Sequence, residues 1–283
     1  MPPKKNVTYK GKILFLHGYT QSASLFYAKT SALRKKLIKL GYRCVYLNGP
    51  YVLTPADLPT TDSLSKFGSA TTDTDDVTYR AWWVKKDKTN DAINLDESIA
   101  TIKNYIQKGE IIADNDLKVE EETEEEKKLP IVGILGFSQG AAFGGVVAHK
   151  FHELFETDPL KFVVLYSGFK LDTSKKAGND KYDEYYPQTE EEVKSGGFKY
   201  LHVLGELDTV VAEDRGYSLY EHTKSSSDIL KHPGGHFVPN SKMYVDNVAN
   251  WIEAHQNGSQ LKSEAPEDDI DLLLDMMDNF GKA

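Results

Sequence analysis

A chain of 283 residues, 40% of them hydrophobic and sixteen of them tyrosine, has the means to bury a sizeable core. Its single cysteine, Cys44, excludes an intramolecular disulfide and fits a reducing compartment, and no stretch approaches the roughly eighteen apolar residues of a membrane span. The net charge of −9 sits in two excursions. Residues 114–128 carry eight acidic against three basic side chains, and residues 256–283 seven against two, which leaves the body at +1 and excludes a basic face suited to nucleic acid.

Residues 1–11 read as a disordered lead. Its basic residues have no apolar core behind them, so it does not read as a signal peptide, and the expected location is the cytoplasm or nucleus. Lys12 to Leu16 is a buried strand running into His17-Gly18-Tyr19-Thr20-Gln21-Ser22. A helix is predicted from about Ser24 to Leu40, stopped by Gly41, and the strand Tyr42 to Leu47 follows, with Cys44 a core residue. This β-α-β order calls for a parallel sheet. Residues 50–80 lose periodicity and end at the aromatic cluster Tyr79 to Val84, whose Trp82 and Trp83 fit either the core or a substrate pocket.

Asp96 to Gln107 has helical periodicity. The acidic stretch at 113–129 reads as a solvated insertion. A strand at 131–135 then precedes Gly136-Phe137-Ser138-Gln139-Gly140, and a small-residue helix follows to about Phe155. Further strands are predicted within 161–169, where the strand runs into its exit loop, and at 198–205 and 229–232. An irregular rim loop spans 170–197, and helices cover 214–223 and 241–255. The alternation through residue 255 argues for one doubly wound α/β domain over 12–255. In the tail at 256–283, Ile270, Leu273, Leu274, Met277 and Phe280 share one helical face, which suits either docking on this domain or a protein partner's groove.

A Gly-x-Ser-x-Gly segment between strand and helix lifts a serine Oγ above the sheet at a helix N-terminus, where negative charge is favoured. An unassisted serine is a poor nucleophile, so it needs a base and the base an orienting acid. Chain order Ser, Asp, His is offered by Ser138, Asp208 and His236. Glu206 and His232 remain rivals for the second and third roles. The oxyanion donors expected are the backbone N–H groups of Gln139 and Tyr19, with His17 orienting the turn.

Leu16 to Gln21, Gly136 to Ala142 and His232 to Pro239, with Arg80-Ala81-Trp82-Trp83 and Ser167-Gly168-Phe169, together resemble the fungal family of serine hydrolases and its ovarian-cancer-associated relative. The acidic end of the chain is similar to the tails of longer yeast members. The resemblance covers about residues 12–255. It implies an α/β-hydrolase fold, cleavage of an ester or thioester, and a triad of Ser138, Asp208 and His236. The expected partner is a small acyl ester, with no cofactor or metal. Acyl transfer from a carrier and a non-catalytic binder on a hydrolase scaffold are the competing functions.

Overall fold

The computed structural model describes residues 8–54, 57–58, 78–85, 91–113 and 122–256. Six parallel strands form the central sheet: β1 (Gly11–Leu16), β2 (Tyr42–Leu47), β5 (Ile131–Phe137), β6 (Phe162–Tyr166), β7 (Lys199–Gly205) and β8 (Ser227–His232), in the order β2-β1-β5-β6-β7-β8. A short antiparallel pair, β3 (Tyr51–Val52) and β4 (Arg80–Ala81), lies apart from it.

Side chains alternate across a strand, so each strand feeds two cores. Leu14 and Leu16 of β1, with Ile134, Val163 and Leu165, face the helices α3 (Asp96–Lys108), α5 (Gln139–Ala148) and α6 (Phe151–Phe155). Ile13 and Phe15, with Leu135, Phe137 and Val164, face α1 (Ala23–Lys29), α2 (Ser31–Lys39) and α9 (Lys242–Gln256). Helix α5 is buried along its whole length. Its glycines and alanines let it lie close against the sheet.

The chain leaves β1 for β2 on one side and returns to β5 on the other. That reversal opens a crevice at the carboxyl ends of β1 and β5, the usual place for a site in an open parallel sheet. The loop starting at His17 and the turn at Ser138 flank it.

Three expectations change in detail. The single helix predicted over 24–40 is two, because buried Thr30 breaks it. The Thr30 hydroxyl donates to the Phe26 carbonyl at 2.7 Å and is 2.7 Å from the Tyr46 hydroxyl. The loop expected over 170–197 holds a 3-10 turn (Asp180–Tyr185) and α7 (Glu190–Ser195). It is tied to the 91–95 segment, whose Ile93 N–H donates to Asn179 Oδ1 at 2.9 Å and whose Leu95 N–H donates to the Tyr182 hydroxyl at 2.8 Å.

The acidic stretch is not wholly solvated. Glu122 lies against Lys12 (3.4 Å) and Arg43 (3.2 Å), and α4 (Glu124–Lys127) begins with a capping box from Thr123 to Glu126. The lead at 1–7, residues 114–121 of the insertion and the tail from 257 lie outside the described residues. Among the described residues, no helix is long and apolar enough to cross a membrane.

Candidate active site

Strand β5 ends at Phe137, and the next residue turns sharply into α5. Ser138 takes φ 53 and ψ −115, a strained conformation for a residue with a side chain. Two glycines make the turn sterically feasible. A Cβ on Gly136 would come within 2.6 Å of the Ala141 backbone, and one on Gly140 within 2.2 Å of the Leu16 carbonyl oxygen. The second approach presses the start of α5 against the end of β1, bringing the His17–Ser22 loop beside the serine.

His236 reaches the same point from the loop after β8. Its Nε2 is 2.9 Å from Ser138 Oγ and its Nδ1 is 2.8 Å from Asp208 Oδ2. Asp208 follows β7, and its other oxygen accepts the N–H groups of Val210 and Val211 at 2.9 Å each. Burial raises the cost of ionising this carboxyl, but the His236 imidazole and the Val211 N–H outweigh it and hold the group below the ordinary carboxylate range. An anion fixed on Nδ1 favours the imidazole tautomer whose Nε2 lone pair faces the serine hydroxyl. Both side chains are nearly closed to water, His236 at 2% and Asp208 at 7% exposure.

The rivals go elsewhere. Buried His232 accepts the Gly234 N–H on Nδ1 and packs its ring against Phe237 and Tyr244. Glu206 is exposed. Cys44 on β2 is partly buried against the core, and burial pushes its thiol up to about 12, far from a reactive thiolate.

The loop expected to supply an oxyanion donor is held from several sides. His17 Nε2 accepts the Gly49 N–H at 2.9 Å, so the ring's proton sits on Nδ1, 2.8 Å from the Gly18 carbonyl. Gln21 Oε1 accepts the Gly18 N–H, and Thr20 and Gln21 bridge to the backbone of Arg80. Tyr19 anchors its hydroxyl on the Asp57 carbonyl at 2.8 Å.

Trp82 has no exposed surface. Its indole N–H donates to the His17 carbonyl at 2.8 Å and its ring stacks on Phe143, so it supports this loop from behind rather than offering a face to substrate. Trp83 is 9% exposed.

One contributor escaped the sequence reading. The Gln139 side chain accepts the Trp82 N–H at 2.8 Å and donates to the Trp83 carbonyl at 2.9 Å. It clamps the β4 exit to the start of α5. The Arg80–Trp83 motif was the available signal. Among the described residues, no group of three or more His, Cys, Asp or Glu side chains is placed to hold a metal ion.

The sequence pattern of the family described as "Serine hydrolase (FSH1)" matches residues 7–248. The chain belongs to the FSH1 serine hydrolase family. Its similar FSH1-type relatives include "Family of serine hydrolases 3" of Saccharomyces cerevisiae, 34% identical with 96% of this chain and 98% of that protein covered. "Esterase OVCA2" of Danio rerio is 28% identical, covering 87% of this chain and 97% of its own length. In fold, this FSH1 member is similar to acyl-protein thioesterase 2 of Zea mays (TM-score 0.54, 20% identity, 89% of this chain and 96% of that one). It is also similar to a Bacillus cereus carboxylesterase (TM-score 0.51, 12% identity, 87% and 89%). The architecture is that of the α/β-hydrolases.

Proposed function

We propose that the protein hydrolyses carboxylic esters, thioesters included, through an acyl-enzyme on Ser138. The observation that carries this reading is the unbroken line from Ser138 through His236 to Asp208, with steps of 2.9 and 2.8 Å, starting at a strained nucleophile turn. Ser138 Oγ attacks the acyl carbonyl while His236 Nε2 takes its proton. The resulting oxyanion is met by the N–H groups of Gln139 and Tyr19. Collapse expels the alcohol or thiol, which receives the proton back from the imidazolium. A water, deprotonated by the same nitrogen, then attacks the acyl-enzyme, and the acid leaves with Ser138 restored.

Leu207 (69% exposed) and Phe237 (47% exposed) stand next to Asp208 and His236 in the chain and are among the few large hydrophobic side chains left open to water. They suit an ester with a hydrocarbon acyl or alcohol portion. Esterase-named relatives such as that of Danio rerio support the ester reading.

Replacing Ser138 by alanine lowers kcat toward p-nitrophenyl esters on the order of 10⁴-fold or more. Retention of most of the activity overturns the assignment. A chain-length series of these esters, run with water alone and with added alcohol or thiol, separates hydrolysis from acyl transfer. A binder on a hydrolase scaffold shows no turnover in either arm.

A further inference from the structure

The strained serine turn occurs twice in this sheet. Ser138 (φ 53) follows the last residue of β5, and Ser167 (φ 47) follows the last residue of its neighbour β6. Each donates its N–H to the next strand over, Ser138 to the Tyr166 carbonyl at 2.8 Å and Ser167 to the Val203 carbonyl at 2.9 Å. The first turn has its reason in the hydroxyl it presents to His236. At the second, a glycine would adopt the same φ without strain, so the serine side chain needs a reason of its own.

Packing does not supply one. Ser167 is 2% exposed, and its Oγ forms no well-aligned hydrogen bond, a costly state for a buried hydroxyl. With Asp208 it lines a cavity of about 160 Å³ between β7 and α8 (Glu213–Thr223). The other charged groups there, Glu206, Glu213 and Lys231, are exposed. The Asp208 carboxylate is therefore the buried acceptor on this wall. Against burial, which raises it, the His236 imidazole, the Val211 N–H and the Ser167 hydroxyl hold that carboxyl below its ordinary range.

The donors at Asp208 can be counted. Oδ2 meets His236 Nδ1, and Oδ1 accepts the N–H groups of Val210 and Val211. Two carboxylate oxygens offer about four lone-pair positions, so three donors leave one.

We propose that Ser167 is a positioning residue for the Asp208–His236 pair, its hydroxyl donating to the Asp208 carboxylate as the fourth and last donor. Within the triad reading on which this rests, the pair then carries a serine hydroxyl at each end, that of Ser138 on the imidazole and that of Ser167 on the carboxylate. By sharing the carboxylate's charge, Ser167 moderates the hold of Asp208 on the His236 Nδ1 proton.

Two variants of the full chain test this. Ser167→Ala removes the hydroxyl and keeps the backbone strain, whereas Ser167→Gly removes both. Both are read by proton NMR at the low-field resonance of the His236 Nδ1–H, which His236→Ala abolishes. A carboxylate relieved of one donor holds that proton more tightly, so the resonance moves downfield in both variants. In p-nitrophenyl ester turnover, the acid limb of the kcat/KM profile moves up by about half a pH unit while KM on the plateau is unchanged. A resonance and an acid limb that stay in place overturn the proposal. So does a shift in Ser167→Ala that is absent in Ser167→Gly, which assigns the effect to strain, or a raised KM with an unmoved acid limb, which makes Ser167 part of the substrate pocket. The NMR arm needs no turnover. A downfield shift in a protein that cleaves no ester upholds Ser167 and removes the esterase reading, and an unmoved resonance in an active enzyme does the reverse. If Ser167→Ala does not fold, Ser167→Gly decides.

Discussion

At the amino ends of β1 and β2 the sheet buries Lys12 and Arg43 against Glu122 and Glu126, while at its carboxyl edge it buries Ser138, Asp208 and His236. The two clusters have similar ingredients. Lys12 and Arg43 stand side by side in register, two like charges that Glu122 bridges, with the Tyr105 hydroxyl donating to it at 2.8 Å. Each charge there meets its opposite on ordinary backbone. At the other edge the backbone of Ser138 is strained, and an imidazole stands between a carboxylate and a hydroxyl that has no charge to offer it. The difference teaches how to tell a structural ion cluster from a reactive one. The first neutralises itself, and in the proposed mechanism the second keeps one partner to accept a proton.

The comparison is tested most severely by separating activity from stability. At the carboxyl edge, Asp208→Asn leaves the fold in place but presents the wrong partner to His236 Nδ1, and kcat falls on the order of 10⁴-fold, as for an asparagine in a comparable triad. The same variant carries a pH signature. The folded carboxyl of Asp208 lies below its unfolded value, so the stability it contributes is complete above the ordinary carboxylate pKa, about 3.9, and is lost as pH falls through the lowered folded value. Urea unfolding therefore shows Asp208→Asn less stable than the parent at pH 7, with the gap narrowing below pH 4. A gap that does not change with pH contradicts the sign.

At the amino edge the outcome reverses. Glu122→Ala takes the carboxylate away from Lys12 and leaves Arg43 with Glu126 alone, at side chains only 6% and 13% exposed, and costs about 3 kcal/mol of stability with kcat unchanged. Burial already pulls the Lys12 ammonium below its ordinary pKa, and Glu122 is the main group opposing that. Comparable stability in denaturant, or a lowered kcat, would erase the distinction between the two ends.

A smaller effect sharpens the contrast at a single residue. Ser138 makes no side-chain cap to α5, so Ser138→Gly loses no helix cap while relieving a positive φ. That variant is inactive yet more stable than the parent by about 1 kcal/mol. Thermal melting that shows it destabilised argues against stored strain at the turn.

Much of the carboxyl edge was legible because its cues are local. Gly136 and Gly140 flank the serine within one turn, and a buried strand precedes it. Gly234 and Gly235 likewise mark a loop that turns just before His236. The choice of His236 over His232 needed only the strand boundary, since the last residue of β8 points into packing.

What escaped was tertiary. Nothing in a run of glutamates distinguishes Glu122 as the one opposite Lys12. Gln139 looked like a backbone donor alone, because its side-chain contacts lie more than fifty positions away at Trp82 and Trp83. The break at Thr30 was invisible for the same reason. Apolar periodicity runs straight through it, and the hydroxyl of Tyr46, on the next strand, is what holds the kink.

Reaction with a fluorophosphonate probe, followed by peptide mass mapping, tests most directly whether Ser138 is an activated nucleophile. The account predicts one adduct, on Ser138, that disappears in Ser138→Ala and forms far more slowly in His236→Ala. An adduct on a different serine, or ester turnover that continues while Ser138 stays unlabelled, contradicts it.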